Sequence, residues 1–419
     1  MIIFYEARKY NKECKNTKSS PIYRRRLKPL SKISTFRGKT VRDPGSKNTF
    51  IVKFAQKTKK YIDSVGRLIY ILLTKTIKAE ERIMVSMKDI SKKVGVSVAT
   101  VSKALNDHSD IGETTKERVR QAAKEMGYFP NASARALKTN KSHNIGVLFR
   151  DEAGNGFTHD FYAAVLDSLK KTAESKGYDI SFINSDRDAM HMNYLEHCRY
   201  RGYDGVVLAC IDFSDTDVVE LATSNVPVVT IDHIFDNRTA IISDNVTGIR
   251  ELVEYIYKEC GHRKIAYIHG ADSSVTKNRL ASFYRTMEEL GATVPDEYVK
   301  DGRYRMPDMS YELTVELLKQ DDPPTCIIYP DDFAAIGGIN AIKSLGLSIP
   351  DDVSIAGYDG IRIAKVLEPR MVTIEQDTGR IGDLAAQKIV QLIERPRSAI
   401  AERIVVEGKL LRGDSVKKL

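Results

Sequence analysis

Tryptophan is absent from this 419-residue chain, so aromatic stacking on any ligand falls to its 13 Phe and 20 Tyr. Cysteine is scarce: Cys14, Cys198, Cys210, Cys260 and Cys326 are scattered, with no C-x-x-C pair. Such odd, sparse usage argues against a disulfide framework or a structural zinc site and points to a reducing, cytoplasmic setting. No apolar run approaches the roughly 20 residues of a membrane helix; the longest lies around Leu68–Leu73. The N-terminus lacks the basic, apolar and small-residue order of a secretory signal. Also missing are a Walker A loop, a G-x-S-x-G elbow, an H-E-x-x-H helix and a G-x-G-x-x-G turn after a strand. Cys260 and His262 lie two apart without further ligands, and no metal or other cofactor is expected. A metalloenzyme, a secreted protein and a membrane protein all fit poorly, and no catalytic residues are assigned.

What is present is an ordinary globular composition, 42% hydrophobic and 29% charged, on a length that accommodates two to four domains. The formal charge of +9 is unevenly spread. Residues 1–83 hold 22 Lys and Arg against 6 Asp and Glu; residues 84–142 hold 11 against 6; residues 143–419 hold 32 against 44. A basic head, a mildly basic small segment and a large acidic body are three different objects. The head shows no sustained periodicity. It reads either as a disordered phosphate-binding arm or, the favoured expectation, as a gene-start artefact preceding a native start at Met84 or Met87. Ala79–Met84 fits a translated purine-rich ribosome-binding site running into a start codon.

From Ser86 the text changes. Ser86 and Asp89 form a helix-capping pair, Ile90 and Val94 give one apolar face, and Gly95 ends the helix. Ser97 caps a second helix, VATVSKAL, with Val101, Ala104 and Leu105 inward. Two short helices joined by a tight turn predict a helix-turn-helix. A third helix follows Gly112, with Val119, Ala122, Ala123 and Met126 as its core stripe and Gly127 as its stop.

MKDISKKVGVSVATVSKALN, followed by TKERVRQAAKEMGYFPNASARALKT, resembles the DNA-binding domain of the LacI/GalR family of bacterial transcription regulators. The resemblance implies that the second helix enters the major groove, with Ser97, Val98, Ala99, Thr100, Ser102 and Lys103 facing DNA. The physics agrees: a helix N-terminus favours phosphate, and small Val98 and Ala99 can sit against thymine methyls. Lys103 can reach a guanine edge or a phosphate, and Asn106 would hold backbone. NASARALK, after Pro130, lacks a core stripe and is too short to be stable alone. By resemblance it is a hinge helix, spanning 131–142 with its linker, that folds when two copies meet on an operator. Leu137 would then wedge into a minor-groove base step, with Asn131, Arg135 and Lys138 on the flanking backbone or groove floor. The segment 84–130 is thus expected to be the DNA-binding domain.

From His143 the chain alternates Val/Ile-rich strands (NIGVLF, DISFIN, GVVLAC, VPVVTI, AIISD, KIAYIHG, TCIIYP, VSIAGYD) with amphipathic helices, which predicts parallel α/β lobes. With the two-lobe form that the resemblance implies, the expected fold class is a small all-α helix-turn-helix domain plus an α/β body of two periplasmic-binding-protein-like lobes with parallel sheets. In the arrangement the resemblance implies, the first lobe spans 143–243 plus 376–401. The second spans 244–375 plus the final strand ERIVVEGKLL, and the chain crosses three times. The body, 143–419, would bind an effector and dimerise.

Ligands of such sheets sit beyond the carboxyl ends of strands. Polar candidates there are Asp151, Asp212, Asp232, His233, Asp331, Asp332 and Asp359, with Phe157 as a ring to pack on a sugar face. The resemblance adds Arg279, as the arginine gripping a sugar hydroxyl, and Gln376 with Asp377 on a crossover lining the cleft. Several carboxylates with one Arg suit a polyhydroxylated ligand, because bidentate hydrogen bonds read adjacent hydroxyls. The plain alternative is that strand-end Asp residues cap the helices that follow. Together these readings predict a homodimeric repressor of a pseudo-palindromic, double-stranded operator, controlled by a sugar or sugar derivative between the lobes, and without a membrane partner. The alternative function is a global catabolite-type regulator whose effector is a phosphorylated partner protein.

Overall fold

The computed structural model describes residues 85–129, 141–151, 154, 156–184 and 191–419. The basic head and the hinge candidates Asn131, Arg135, Leu137 and Lys138 lie outside these residues. The chain divides into two compact units at Phe129/Pro130.

The small unit is three helices: α1 (Met87–Val94), α2 (Val98–Leu105) and α3 (Glu113–Met126). Local chemistry sets each boundary. The Asp89 carboxylate accepts from the Ser86 N–H at 3.0 Å and from its hydroxyl at 2.6 Å. Gly95 and Gly127 take the left-handed conformation that ends α1 and α3, at φ 76° and 68°. Ser97 Oγ accepts from the Thr100 N–H at 3.0 Å and starts α2. Ile90, Val101, Val119 and Ala104 are fully buried and hold the three helices together.

The large unit has two lobes. In the first, strands β1 (Asn144–Phe149), β2 (Asp179–Phe182), β3 (Gly205–Ala209), β4 (Val228–Ile231) and β5 (Thr239–Ser243) alternate with α4 (Asp160–Ser175), α5 (Tyr194–Arg201) and α6 (Thr216–Thr223). In the second, α7 (Asn245–Glu254) leads to β6 (Ile265–His269), α8 (Ser274–Glu289), β7 (Val299–Asp301) and α9 (Pro307–Leu318). The lobe continues through β8 (Cys326–Ile328), α10 (Asp332–Ser344), β9 (Ser354–Ala356), α11 (Arg362–Val366) and β10 (Thr373–Glu375). The chain then returns through α12 (Thr378–Glu394) and β11 (Arg403–Val406) to the first lobe and finishes with β12 (Lys409–Leu411) in the second.

The first-lobe sheet runs β11-β5-β4-β3-β1-β2 and is wholly parallel. Its central strand GVVLA is buried throughout, as a sheet covered by helices on both faces demands. Helix α12 lies against α4 so closely that a Cβ on Gly382 would stand 2.2 Å from the Val165 carbonyl oxygen. The second-lobe sheet runs β7-β6-β8-β9, also parallel, and an antiparallel pair β10-β12 extends it through an Ala356–Val372 bridge. The chain crosses between lobes three times, after β5, after β10 and after β11. The final strand departs from expectation. RIVV pairs in parallel with β5 of the first lobe, and only KLL, beyond Gly408, pairs with β10 of the second. One apolar run feeds both sheets because Gly408 lets the backbone approach Ile374, where a Cβ would sit at 2.8 Å.

Candidate effector cleft and recognition helix

On the small unit, α2 presents Ser97, Val98, Ala99, Lys103 and Asn106 to solvent, with Thr100 and Ser102 half-buried. Val98 is 43% exposed, an apolar side chain left on the outer face while Val101 fills the core. Lys103 pairs with Asp110 in the following turn, and Asn106 Nδ2 donates to the Ser102 carbonyl at 2.7 Å. The face is short-chained apart from Lys103, which suits a helix that must approach base edges closely.

In the large unit, the carboxyl ends of both parallel sheets converge between the lobes. Arg279, on α8, is the central cation and is 3% exposed. Its Nε donates to Asn245 Oδ1 at 2.7 Å and its Nη1 to the Pro330 carbonyl at 2.9 Å, while Nη2 lies 3.7 Å from Asp359 Oδ1. The guanidinium stacks on Tyr358 at 3.6 Å. Burial works against its charge, but the surrounding Tyr304, Tyr358 and Asp359 outweigh it and hold the group above the ordinary arginine range. Asp359, with a left-handed φ of 99°, accepts from Gln376 Nε2 at 2.7 Å, and Gln376 Oε1 is buried without a partner. Arg279, Asp359 and Gln376 therefore meet at one place, as a polar fork with unused hydrogen-bonding capacity.

Asp331 and Asp332 stand beside them, both buried. Asp331 caps α10, accepting from the Ala334 N–H at 2.8 Å, and its other oxygen accepts from the Arg305 N–H at 2.7 Å. Burial, then the Asp359 charge, pushes its carboxyl up to about 6. The same causes in the same order raise Asp332 well above the usual carboxylate range; its Oδ2 accepts from the Ile361 N–H at 2.9 Å, and Oδ1 has no partner. Capping and cleft lining coexist in this pair. Asp232, across the cleft, accepts from the Ser243 N–H at 2.7 Å, and burial raises its carboxyl despite that bond.

The other candidates spread further. Asp151 follows β1 and acts electrostatically on His159. Phe157 is 61% exposed and packs on Phe149 at 5.8 Å and edge-on to Phe182 at 4.6 Å. Asp212 is exposed, its carboxylate accepting from the Ser214 N–H at 2.8 Å and hydroxyl at 2.6 Å. His233 stacks flat on Phe213 at 4.2 Å, and burial lowers its basicity. Asp377 caps α12 through the Arg380 N–H at 2.8 Å. His262, beside Cys260, is fully buried and bonds Thr325 Oγ1 at 2.8 Å and the Lys417 carbonyl at 3.1 Å.

Four cleft residues escaped the sequence reading. Tyr304 hydrogen-bonds Thr276 at 2.8 Å and lies 5.8 Å below Arg279. Arg305 reaches from the second lobe to Asp160 Oδ2 of the first at 3.3 Å. Burial, and then the neighbouring Cys210, Asp232, Asp359 and Tyr304, raise the phenol of Tyr162, at the first turn of α4, well above the usual range. Asn245 fixes Arg279. Tyr304 and Arg305 follow a strand end as the other candidates do, and that position was their available signal.

Comparison with known proteins places the chain. Residues 142–407 match the family described as periplasmic binding proteins and sugar binding domain of LacI family, and residues 86–131 match bacterial regulatory proteins, lacI family. The probable HTH-type transcriptional repressor ExuR of Bacillus subtilis (strain 168) is 32% identical over 340 residues, 80% of this chain and 99% of that protein. The HTH-type transcriptional repressor PurR of Proteus mirabilis (strain HI4320) is 31% identical, covering 80% of this chain and 97% of its own. Among solved structures, the lac repressor dimer bound to operator and the anti-inducer ONPF shares the fold with a TM-score of 0.68 at 23% identity, covering 80% and 99%. The transcriptional regulator CelR–cellobiose complex does so with a TM-score of 0.59 at 22% identity, covering 79% and 99%. With both family models and full-length repressors matched along its helix-turn-helix and its two-lobed body, the chain belongs to the LacI family of bacterial regulatory proteins.

Proposed function

We propose that the protein is a sequence-specific transcriptional repressor whose operator affinity is set by a small polyhydroxylated molecule, a sugar or sugar derivative, bound between the lobes. The observation that carries the reading is the convergence of Arg279, Asp359 and Gln376 at the carboxyl ends of the strands, in a chain that also bears an exposed α2. Fixed donors and acceptors of this kind read adjacent hydroxyls, and Arg279 is fixed by Asn245 and the Pro330 carbonyl before any ligand arrives.

In this reading the unit 84–130 binds DNA, with Ser97, Val98, Ala99, Thr100, Ser102 and Lys103 at base edges and phosphates and Asn106 on the backbone. Segment 131–142 is the hinge helix, Leu137 its wedge, with Asn131, Arg135 and Lys138 beside it. Two copies, joined through the 143–419 body, would place two helix-turn-helix units on the half-sites of a pseudo-palindrome; the lac repressor solved on its operator is a dimer. A DNA-bound regulator of bacterial genes works in the cytoplasm, and no enzymatic step is assigned to the cleft. Among the described residues no helix is long and apolar enough to cross a membrane.

The test is selection of bound sequences from random duplex DNA, followed by anisotropy titration of the selected site with and without a panel of sugars. A pseudo-palindrome whose affinity shifts at least tenfold with one sugar supports the reading. No enriched palindrome, or an affinity indifferent to every small molecule, counts against it and turns attention to a phosphorylated protein as effector.

A further inference from the structure

The corner of the cleft where Arg305 meets the start of α4 is arranged around a negative charge. Arg305 holds a left-handed φ of 55°, rare for a side chain of this size. Asp331 fixes its backbone N–H at 2.7 Å, and the Phe333 ring lies 4.4 Å beneath its guanidinium. From there Nη1 reaches Asp160 Oδ2 at 3.3 Å and Nη2 the Thr158 carbonyl at 3.1 Å, both on the first lobe. Arg305 Nε has no hydrogen-bond partner, and neither has Nδ1 of the adjoining His159. Both residues are more than nine-tenths buried, at 7% and 8% exposure. Buried polar nitrogens are nearly always paired, so two orphans in one corner mark a site with capacity to spare. The Asp160 side chain, by contrast, is 41% exposed and can turn into water.

We propose that this corner is an anion subsite of the effector cleft: the effector carries a carboxylate or phosphate beside its hydroxyls, and the Asp160 carboxylate stands in for that group until it arrives. The inference rests on reading the cleft as the effector site. For a ligand carboxylate the exchange conserves charge, since the Asp160 carboxylate leaves for solvent as another enters; a phosphate brings further negative charge to the same guanidinium. The exchange can also improve the bonding, because a ligand anion seated on the Nε–Nη2 edge, or across the two terminal nitrogens, takes a paired contact where Asp160 makes a single one, with His159 as a further donor. Arg279, Asp359 and Gln376 remain for the hydroxyls. Asp160 is then an internal competitor that raises the effector concentration needed for a response.

The full chain and two variants, Arg305→Gln and Asp160→Asn, test this. Inorganic phosphate is the first probe, because it has no stereochemistry to mismatch. Against chloride at equal ionic strength, phosphate should raise the Tm of the wild type saturably, raise that of Asp160→Asn at several-fold lower concentration, and leave Arg305→Gln unmoved. The second arm is calorimetry with glucose and galactose, their 6-carboxylates and their 6-phosphates. One anionic member should bind at least tenfold tighter than its neutral parent, and Arg305→Gln should level the two; which anion wins separates carboxylate from phosphate. A neutral hexose binding as tightly as its anionic forms, with no gain in Asp160→Asn, overturns the subsite and leaves the effector reading standing. If no panel member changes unfolding, calorimetry or operator affinity, the effector reading falls too.

Discussion

Replacing Arg279 by lysine keeps the charge and removes the geometry, which makes it the sharpest probe of the cleft. The guanidinium satisfies two buried acceptors at once, Asn245 Oδ1 at 2.7 Å and the Pro330 carbonyl at 2.9 Å, on a stack 3.6 Å above Tyr358. A lysine ammonium is one point charge and cannot span both acceptors in their present positions. Leaving one buried acceptor unpaired costs about 1–3 kcal/mol, and losing a desolvated stack on an aromatic ring adds up to about 2 kcal/mol. The residue is 3% exposed, so water compensates little. We therefore expect Arg279→Lys to destabilise the protein by about 2–4 kcal/mol. Sugar affinity should fall further, by about 10- to 100-fold, because each charge-assisted bond is worth about 1.5–3 kcal/mol.

Urea denaturation followed by circular dichroism reads the stability, a suitable probe for a chain without tryptophan. Arg250→Lys is the control: its pair with Glu289 is solvent-exposed, and the change should stay within about 0.5 kcal/mol. An Arg279→Lys variant as stable as this control would refute the idea that the fork is held rigid by its buried partners. A stable variant that still binds sugar like the wild type would remove Arg279 from the site altogether.

Four further outcomes follow from other parts of the molecule. Gly382→Ala should destabilise by about 1–3 kcal/mol in the same urea assay: the clash with the Val165 carbonyl at 2.2 Å outweighs the gain of about 1 kcal/mol that alanine brings to a helix interior. His262 is buried between Thr325 and the Lys417 carbonyl, and burial lowers its pKa below the ordinary 6.5, so it resists protonation in the fold but not in the unfolded chain. Its contribution is intact above pH 6.5 and is lost as pH falls toward its folded value; the urea midpoint should drop from pH 7 to 5, less steeply in His262→Gln. Asp110→Asn should free Lys103 and tighten operator binding several-fold in low salt, with the gain fading at high salt in an anisotropy titration. Leu137→Ala should weaken operator binding and bending in a gel-shift assay while calorimetric effector binding stays unchanged.

Which parts of this protein were legible in its sequence follows from how local their causes are. The helix-turn-helix was legible because Asp89, Gly95, Ser97 and Gly127 act on backbone groups within one turn of themselves. The central strands were legible because a parallel sheet covered on both faces needs uninterrupted apolar runs, and GVVLA is one. The edge strand β7 was not. Its residues Val-Lys-Asp are partly exposed, so it carries no apolar run, and the loop beyond it went unread. That single omission hid Tyr304 and Arg305, which occupy the same strand-end position as Asp331 and Asp359. Asn245 and Tyr162 were hidden for another reason: each sits at the start of a helix, where its type suggests a local role, and only tertiary packing, against α8 of the same lobe for Asn245 and across the cleft for Tyr162, gives it a distant one. The split of the last strand between sheets belongs to the same class, since RIVV and KLL differ in their partners and hardly at all in their composition. Strand-end positions on edge strands therefore merit the same scrutiny as those on central ones, even where the strand itself is too polar to announce itself.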